Sequence, residues 1–246
     1  MTRTAIIIGA SSGIGAALAE SLARRGHDLG LTGRRTERLQ ALADQLRERF
    51  GIRTEVRYLD VCDTAAVHPV LLELSATLGG LDLLVANAGR TGRRRAGNGR
   101  IDIDRDILDT NLMGAIACID AGMAIFKQQG RGHLVGISSI SAFIGLPGSA
   151  AYSASKAALT NYLQALRCEL GKGNIHVTTI HPGFVITELT PDMEKYPFAA
   201  KPEVVAEGIC AAIERRAKEA TVPRWPWAPL MPILKRLPDS LIRKAF

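Results

Sequence analysis

The sequence predicts an α/β fold, a doubly wound parallel sheet of about seven strands with helices on both faces. Short apolar runs alternate with longer stretches in which apolar residues recur at three- and four-residue intervals, and strand after helix after strand is the connectivity of a parallel sheet covered on both sides. A glycine-rich segment, Gly9-Ala-Ser-Ser-Gly13-Ile-Gly15, opens the first of these strand-to-helix steps. No internal repeat or low-complexity linker divides the chain, so one domain spanning residues 1–246 is expected, with 225–246 as a C-terminal extension.

Each element follows from the pattern. Residues 4–8 form the first strand, and Ile14, Leu18 and Leu22 mark one face of a helix that Gly26 closes. The second strand is 27–32; Leu39, Leu42, Leu46 and Phe50 then define a helix stopped by Gly51, and 54–59 returns as the third strand. A helix over about 65–78 and a strand over 81–86 lead into Asn87-Ala88-Gly89. One long helix is expected from about 103 to 129, then a strand at 133–137, a helix at 152–170 and a strand at 175–180. A helix over about 203–218 and a short strand near 221–222 complete the alternation. Two segments break the rhythm: 90–100, glycine-rich with five arginines, and the tail from 225, with prolines at 226, 229, 232 and 238. Both are expected as loops or broken helices near a functional face.

Composition narrows the function classes. An apolar content of 47% with 22% charged residues is that of a globular chain able to bury an extensive core. The four cysteines, Cys62, Cys118, Cys168 and Cys210, are widely spaced and read as reduced thiols, with no metal-ligand pattern. Thr2-Arg-Thr leads straight into a strand-like run, with no signal-peptide pattern, and no uninterrupted apolar stretch approaches 18 residues, so a cytoplasmic protein is expected. The net charge of +7 comes without a basic stripe interleaved with aromatics, which are 5% of the chain; this argues against nucleic acid and suits a phosphorylated cofactor.

The glycine segment is the first chemical signal. In a Rossmann-type turn, glycines adopt left-handed backbone angles and let a pyrophosphate approach the N–H groups at a helix N-terminus. Gly9, Ser11, Ser12, Gly13, Ile14 and Gly15 are the candidates there, although the spacing is G-x-x-x-G-x-G. At the end of the second strand, where an NAD enzyme commonly carries a carboxylate for the adenosine ribose, this chain has Gly33-Arg34-Arg35. A guanidinium binds a 2′-phosphate that an acid would repel, so NADP(H) is expected over NAD(H), with Arg34 placed first and Arg35 second. The alternative is that both arginines begin a solvated helix. Asp60, followed by Val61, closes the third strand and is positioned to accept from an adenine amino group or to cap the next helix, a role Asp63 or Thr64 could also fill.

The second signal is Tyr152-Ser-Ala-Ser-Lys156, with Ser139 thirteen positions before the tyrosine. Residues at i and i+4 share a helix face, so the ammonium can sit near the phenol and favour its ionised form. That would make a phenol of ordinary pKa about 10 usable as an acid and base near neutrality. With the glycine turn, Asn87-Ala88-Gly89, Asn111-Leu-Met-Gly114, Ser138-Ser139 and Pro182-Gly183 in order, the chain resembles the short-chain dehydrogenase/reductase family to about residue 224.

The resemblance implies a tetrad of Asn111, Ser139, Tyr152 and Lys156. Tyr152 would exchange a proton with the substrate oxygen, Ser139 would hydrogen-bond that oxygen, and Lys156 would bind the nicotinamide ribose and lower the phenol pKa. Asn111 would support a water linking the lysine to solvent. It further implies Asn87, Ala88 and Gly89 beside the adenosine ribose, Pro182 and Gly183 along the cofactor, and Thr187 with the Ile186 backbone at the carboxamide. A homodimer or homotetramer would pair the 103–129 and 152–170 helices. The chain departs from the family in having Ile8 before the first glycine and Ala86 before Asn87, where threonine and a second asparagine are common. A non-catalytic nucleotide sensor on the same fold is the rival class.

Substrate-wall candidates are Ser141, Phe143, Leu146, Ala150 and Phe184, with 190–200 as a lid, and His181 is expected to be structural or part of that wall. Their apolar character favours a hydrophobic ketone or aldehyde, while Arg93-Arg94-Arg95 leaves room for an anion. The tail, with Trp225, Trp227, Met231, Leu234 and Phe246 among basic residues, is expected to cover the pocket, join subunits or contact an anionic membrane surface.

Overall fold

The computed structural model describes residues 3–245. Among them seven strands, β1 (Arg3–Ile8), β2 (His27–Gly33), β3 (Thr54–Tyr58), β4 (Leu83–Ala86), β5 (Gly132–Ile137), β6 (Ile175–Pro182) and β7 (Glu219–Val222), form one sheet in the order 3-2-1-4-5-6-7. Every pairing is parallel. The chain winds outward from β1 to β3, then crosses back to place β4 on the other side of β1. This reversal opens a crevice at the carboxyl ends of β1 and β4, the position where doubly wound sheets bind ligands.

The two-residue repeat of β1 divides the core. Ala5 and Ile7 pack with Leu18 and Leu22 of α1 (Gly13–Arg24), Leu39 and Leu46 of α2 (Thr36–Phe50), and residues of the later helix Pro202–Glu214. Ile6 and Ile8 face the opposite way, onto Leu71 and Leu74 of α3 (Thr64–Leu78) and onto the two helices that follow β4 and β5. Burial on both faces explains why β2 is buried along its whole length. Asp63 caps α3, its side chain accepting from the Ala66 N–H at 3.3 Å, which leaves Asp60 free of that role.

The long helix expected over 103–129 begins two residues earlier and is not uniform. It comprises α4 (Ile101–Leu108), a π-helical turn (Asp109–Gly114) and α5 (Ala115–Gln129). The wider turn carries Asn111 into the interior, where it is fully buried, and rests Gly114 against Val61, so that a β-carbon there would lie 2.6 Å from the Val61 side chain. By length and mean hydropathy of 1.3 this 29-residue helix could cross a membrane, a property absent from the uninterrupted apolar runs. Here its apolar side chains, Cys118, Ile119 and Phe126 among them, belong to the core beneath the sheet.

After α6 (Ala150–Leu170), α7 (Pro202–Glu214) ends earlier than expected, because Arg216 adopts a left-handed conformation (φ 50°) and turns the chain into β7. The tail forms two short helices, α8 (Arg224–Leu234) and α9 (Asp239–Ala245), with Trp225 in a non-helical conformation. Phe246, one of the apolar tail residues singled out above, lies outside the described residues. Leu71→Ala, at a fully buried site between α3 and the sheet, should cost about 3 kcal/mol in urea unfolding with an unchanged denaturant slope; a loss below about 1 kcal/mol would contradict this packing.

Candidate active site

A cleft of about 810 Å³ runs along the carboxyl ends of the central strands. Its nucleotide end is built from the β1–α1 turn. Gly9 has φ +82°, and a β-carbon there would lie 2.8 Å from the Ala88 Cα; one on Gly15 would overlap the Gly9 carbonyl oxygen. Asn87 Nδ2 donates to that same oxygen at 2.8 Å, tying the end of β4 to the turn. Gly13 and Ile14 line the cleft at the start of α1, where a helix leaves backbone N–H groups without intrahelical partners. The turn is thus a cradle that side chains would fill, which suits the pyrophosphate of a dinucleotide. Ser11, Ser12, Asp60, Val61, Ala88 and Gly89 line it as well.

The two arginines after β2 make different contacts. Arg34 leans toward Asp60, its Nη1 3.6 Å from Oδ2, with the side chain 63% exposed. Arg35 lies across the turn: Nε and Nη2 donate to Ser11 Oγ at 3.1 and 2.9 Å, Nη2 to Ser12 Oγ at 2.6 Å, and Nη1 to Glu188 Oε2 at 2.9 Å. Arg38, on the first turn of α2, also donates to Glu188. Neither Arg38 nor Glu188 was singled out in the sequence, because only the fold brings the loop after β6 beside α2. Asp60 accepts from the Cys62 N–H at 3.1 Å through Oδ1.

At the other end of the cleft, α6 is pinned to the end of β5. Ser138 Oγ donates to the Lys156 carbonyl oxygen at 3.0 Å and shares a hydrogen with Thr160 Oγ1 at 2.7 Å, while Lys156 Nζ donates to the Ile137 carbonyl oxygen at 2.8 Å. Ser139, Tyr152 and Lys156 all line the cleft. Ser139 lies near enough to Tyr152 to favour its ionised form, and the Ser141 N–H donates to Ser139 Oγ at 3.1 Å.

The expected effect of the lysine on the tyrosine is absent from this geometry. Burial pushes the Tyr152 phenol pKa up, with Ser139 working against it. Burial also pushes the Lys156 amine down to about 8. The amine is held by the Ile137 carbonyl and lies 5.9 Å from the phenol ring centroid, so desolvation outweighs charge attraction.

Asn111 does not line the cleft; it braces it. Its Oδ1 accepts from the Arg90 N–H at 2.7 Å, and Nδ2 donates to the Arg90 carbonyl at 2.9 Å and to Ser155 Oγ at 3.2 Å. Ser155 Oγ in turn donates to the Tyr152 carbonyl at 2.7 Å. A β-carbon on Gly89 would lie 3.5 Å from Asn111 Oδ1 and 3.7 Å from Lys156 Nζ, so these groups converge on one glycine. Pro182, Gly183 and Thr187 line the cleft as expected. Ile186 does not: its N–H is committed to the Ala200 carbonyl at 3.0 Å, which removes it as a donor to a carboxamide.

The tail packs on the substrate side. Trp227 and Met231 of α8 form a buried cluster with Ile140, joined by Phe143, Phe184 and Leu234. A β-carbon on Gly183 would overlap the Trp227 indole, and Phe184 meets Trp227 edge-on at 4.9 Å and Tyr196 at 5.3 Å. Ser141, Leu146 and Phe184 line the cleft, with Thr190, Asp192, Met193 and Tyr196 from the following loop. Phe143 and Ala150 are not in its wall. Phe143 instead packs on the buried His181 ring at 4.7 Å, and Lys235 Nζ lies 3.9 Å above it. His181 faces the Ser139 carbonyl and Glu219, in keeping with a structural role. In the arginine-rich segment, Arg94 is paired with Asp104, Arg90 with Asp106 and Arg100 with Asp102, while Arg93 lines the cleft and reaches Tyr196 Oη at 3.4 Å.

A buried lysine of depressed pKa gives a measurable signature. Between about pH 8 and 10.5 the unfolded chain binds a proton that the folded state has lost, so stability due to this group rises with pH in that window. Relative to Lys156→Met, the wild type should gain about 2 kcal/mol between pH 7.5 and 10. An unchanging difference between the two unfolding free energies would contradict the burial of this amine.

Comparison with known proteins agrees with this architecture. The family profile described as short chain dehydrogenase matches residues 3–196. An uncharacterized oxidoreductase of Mycobacterium tuberculosis is 40% identical over 247 residues, covering 99% of this chain and 98% of the relative. Among solved structures, a short-chain dehydrogenase from Sphingobium yanoikuyae in complex with NADPH superposes with a TM-score of 0.83 at 28% identity, covering 98% of this chain and 94% of that one. The bulky-bulky ketone specific alcohol dehydrogenase from Comamonas testosteroni gives a TM-score of 0.81 at 26% identity, covering 98% and 92%. With its sheet order, its glycine turn and a family match over most of its length, the chain belongs to the short-chain dehydrogenase family of oxidoreductases.

Proposed function

We propose that the protein is an NADP(H)-dependent oxidoreductase that interconverts a carbonyl and an alcohol on a hydrophobic substrate, with Tyr152 as the acid and base. The observation that carries this reading is the convergence of Ser139, Tyr152 and the buried Lys156 amine on one cleft, the same cleft that the glycine turn lines. The bound nicotinamide supplies or accepts the hydride.

In reduction, Tyr152 gives its phenolic proton to the carbonyl oxygen as negative charge develops there, and Ser139 Oγ donates a hydrogen bond to the same oxygen. The Ser141 N–H bond to Ser139 Oγ orients that hydroxyl. Burial lowers the Lys156 pKa to about 8, so its amine exchanges protons close to neutral pH. Ser138, Ser155, Thr160 and Asn111 hold α6 and the 89–90 backbone in register with the end of β5.

Cofactor choice rests on Arg35 and Arg34 at the end of β2, with NADPH present in the Sphingobium neighbour as support. The hydrophobic substrate follows from the wall of Ile140, Leu146, Phe184 and Met193 and the Trp227 indole behind it, in keeping with the ketone specificity of the Comamonas neighbour.

Tyr152→Phe should lower turnover by at least about a thousandfold on any accepted carbonyl, since it removes the proton donor, while nucleotide affinity stays within about threefold; full activity in this variant would sink the mechanism. Arg35→Ala should weaken NADPH by about tenfold or more and NADH far less, as loss of a charge-assisted contact requires. Equal losses for both nucleotides, measured by fluorescence titration, would refute the phosphate assignment.

A further inference from the structure

Glu188 stands where the loop after β6 meets the nucleotide end of the cleft, and it lines that cleft. Its carboxylate lies between two guanidinium groups from a distant part of the chain: 2.9 Å from Arg35 Nη1, and 2.8 and 2.7 Å from Arg38 Nη1 through its two oxygens. The same Arg35 holds the hydroxyls of Ser11 and Ser12 on the glycine turn. Two cations therefore flank one carboxylate, and one of them is also bonded to two hydroxyls of the glycine turn, leaving a local excess of positive charge. This donor set is matched to an anion of higher charge with more oxygens, and a phosphate monoester has both. The three charged side chains are 44% to 58% exposed, so the internal ion pairs are screened and readily exchanged.

The position of Glu188 in the chain gives the contact a second consequence. It directly follows Thr187, whose methyl lies 3.1 Å from where a β-carbon on Gly13 would stand. The loop beyond it brings Asp192, Met193 and Tyr196 to the substrate wall. The Glu188 contacts thus clasp the substrate-side loop onto the β1–α1 turn and the start of α2.

We propose that Glu188 is an internal competitor for the 2′-phosphate of the nucleotide: its carboxylate holds Arg35 and Arg38 until the phosphate displaces it, and its release frees the nucleotide end of the loop. This rests on the NADP(H) reading and adds to it a residue that lowers phosphate affinity in order to couple cofactor binding to the loop.

The test is calorimetric titration of the full chain and of Glu188→Gln with adenosine 2′,5′-bisphosphate and with AMP, which differ only in the 2′-phosphate. Wild type should prefer the bisphosphate. Glu188→Gln should bind the bisphosphate about threefold to tenfold more tightly, the range that two exposed ion pairs can hold back, with AMP affinity changed less than about twofold. Weaker bisphosphate binding in the variant would show a clasp that retains the nucleotide and would overturn the proposal, as would unchanged binding. If neither protein distinguishes the two nucleotides, the phosphate reading itself fails and the competitor role with it. Matching circular dichroism and melting profiles establish that both proteins are folded.

Discussion

The site depends on how the N-terminal half of α6 is fixed to the carboxyl end of β5. Lys156 is the centre of that attachment: its amine bonds the Ile137 carbonyl and its own carbonyl accepts from Ser138. A buried amine would be costly here without a partner, and the last carbonyl of β5 provides one. Because Ser139 lies two residues beyond that strand end and Tyr152 lies one helical turn before Lys156, the same two bonds set the serine, the phenol and the amine relative to one another. The depressed lysine pKa and the raised phenol pKa are consequences of the burial that makes this placement rigid.

The π-helical turn serves the same geometry from the opposite side. A regular α-helix from 101 to 129 would set Asn111 in a different register. The wider turn delivers its amide to both backbone groups of Arg90 and to Ser155, which is itself bonded to the Tyr152 carbonyl. One asparagine therefore joins the strand–loop after β4, the long helix and α6 around Gly89. Trp227 closes the substrate side in a similar manner, packing its indole onto Gly183 and Phe184.

Periodicity alone carried the alternation of strands and helices, because parallel strands buried on both faces must be apolar runs and their helices must show one apolar face. The glycine turn, Ser139, Tyr152 and Lys156 were legible for a related reason: their chemistry depends on local spacing. What was not legible depended on contacts between distant segments. The π turn has no marker in the run Asp109-Thr-Asn-Leu-Met-Gly114, and the contacts that accompany it, Gly114 on Val61 and Asn111 on the Arg90 backbone, come from distant segments. Arg34 and Arg35 are neighbours in sequence, and only the positions of Ser11, Ser12, Glu188 and Asp60 separate their roles. The tail was readable as amphipathic, but its docking on Ile140 and Gly183 required the fold.

Transfer of hydride to a substrate carbon is the central event in this account. Incubating the protein with a bulky ketone panel and NADPH deuterated on the reduced nicotinamide carbon, and analysing products by mass spectrometry, tests it directly. The expected product is an alcohol carrying one deuterium on the former carbonyl carbon, formed in step with nucleotide oxidation. Nucleotide binding with no labelled alcohol from any ketone or aldehyde in the panel would contradict it.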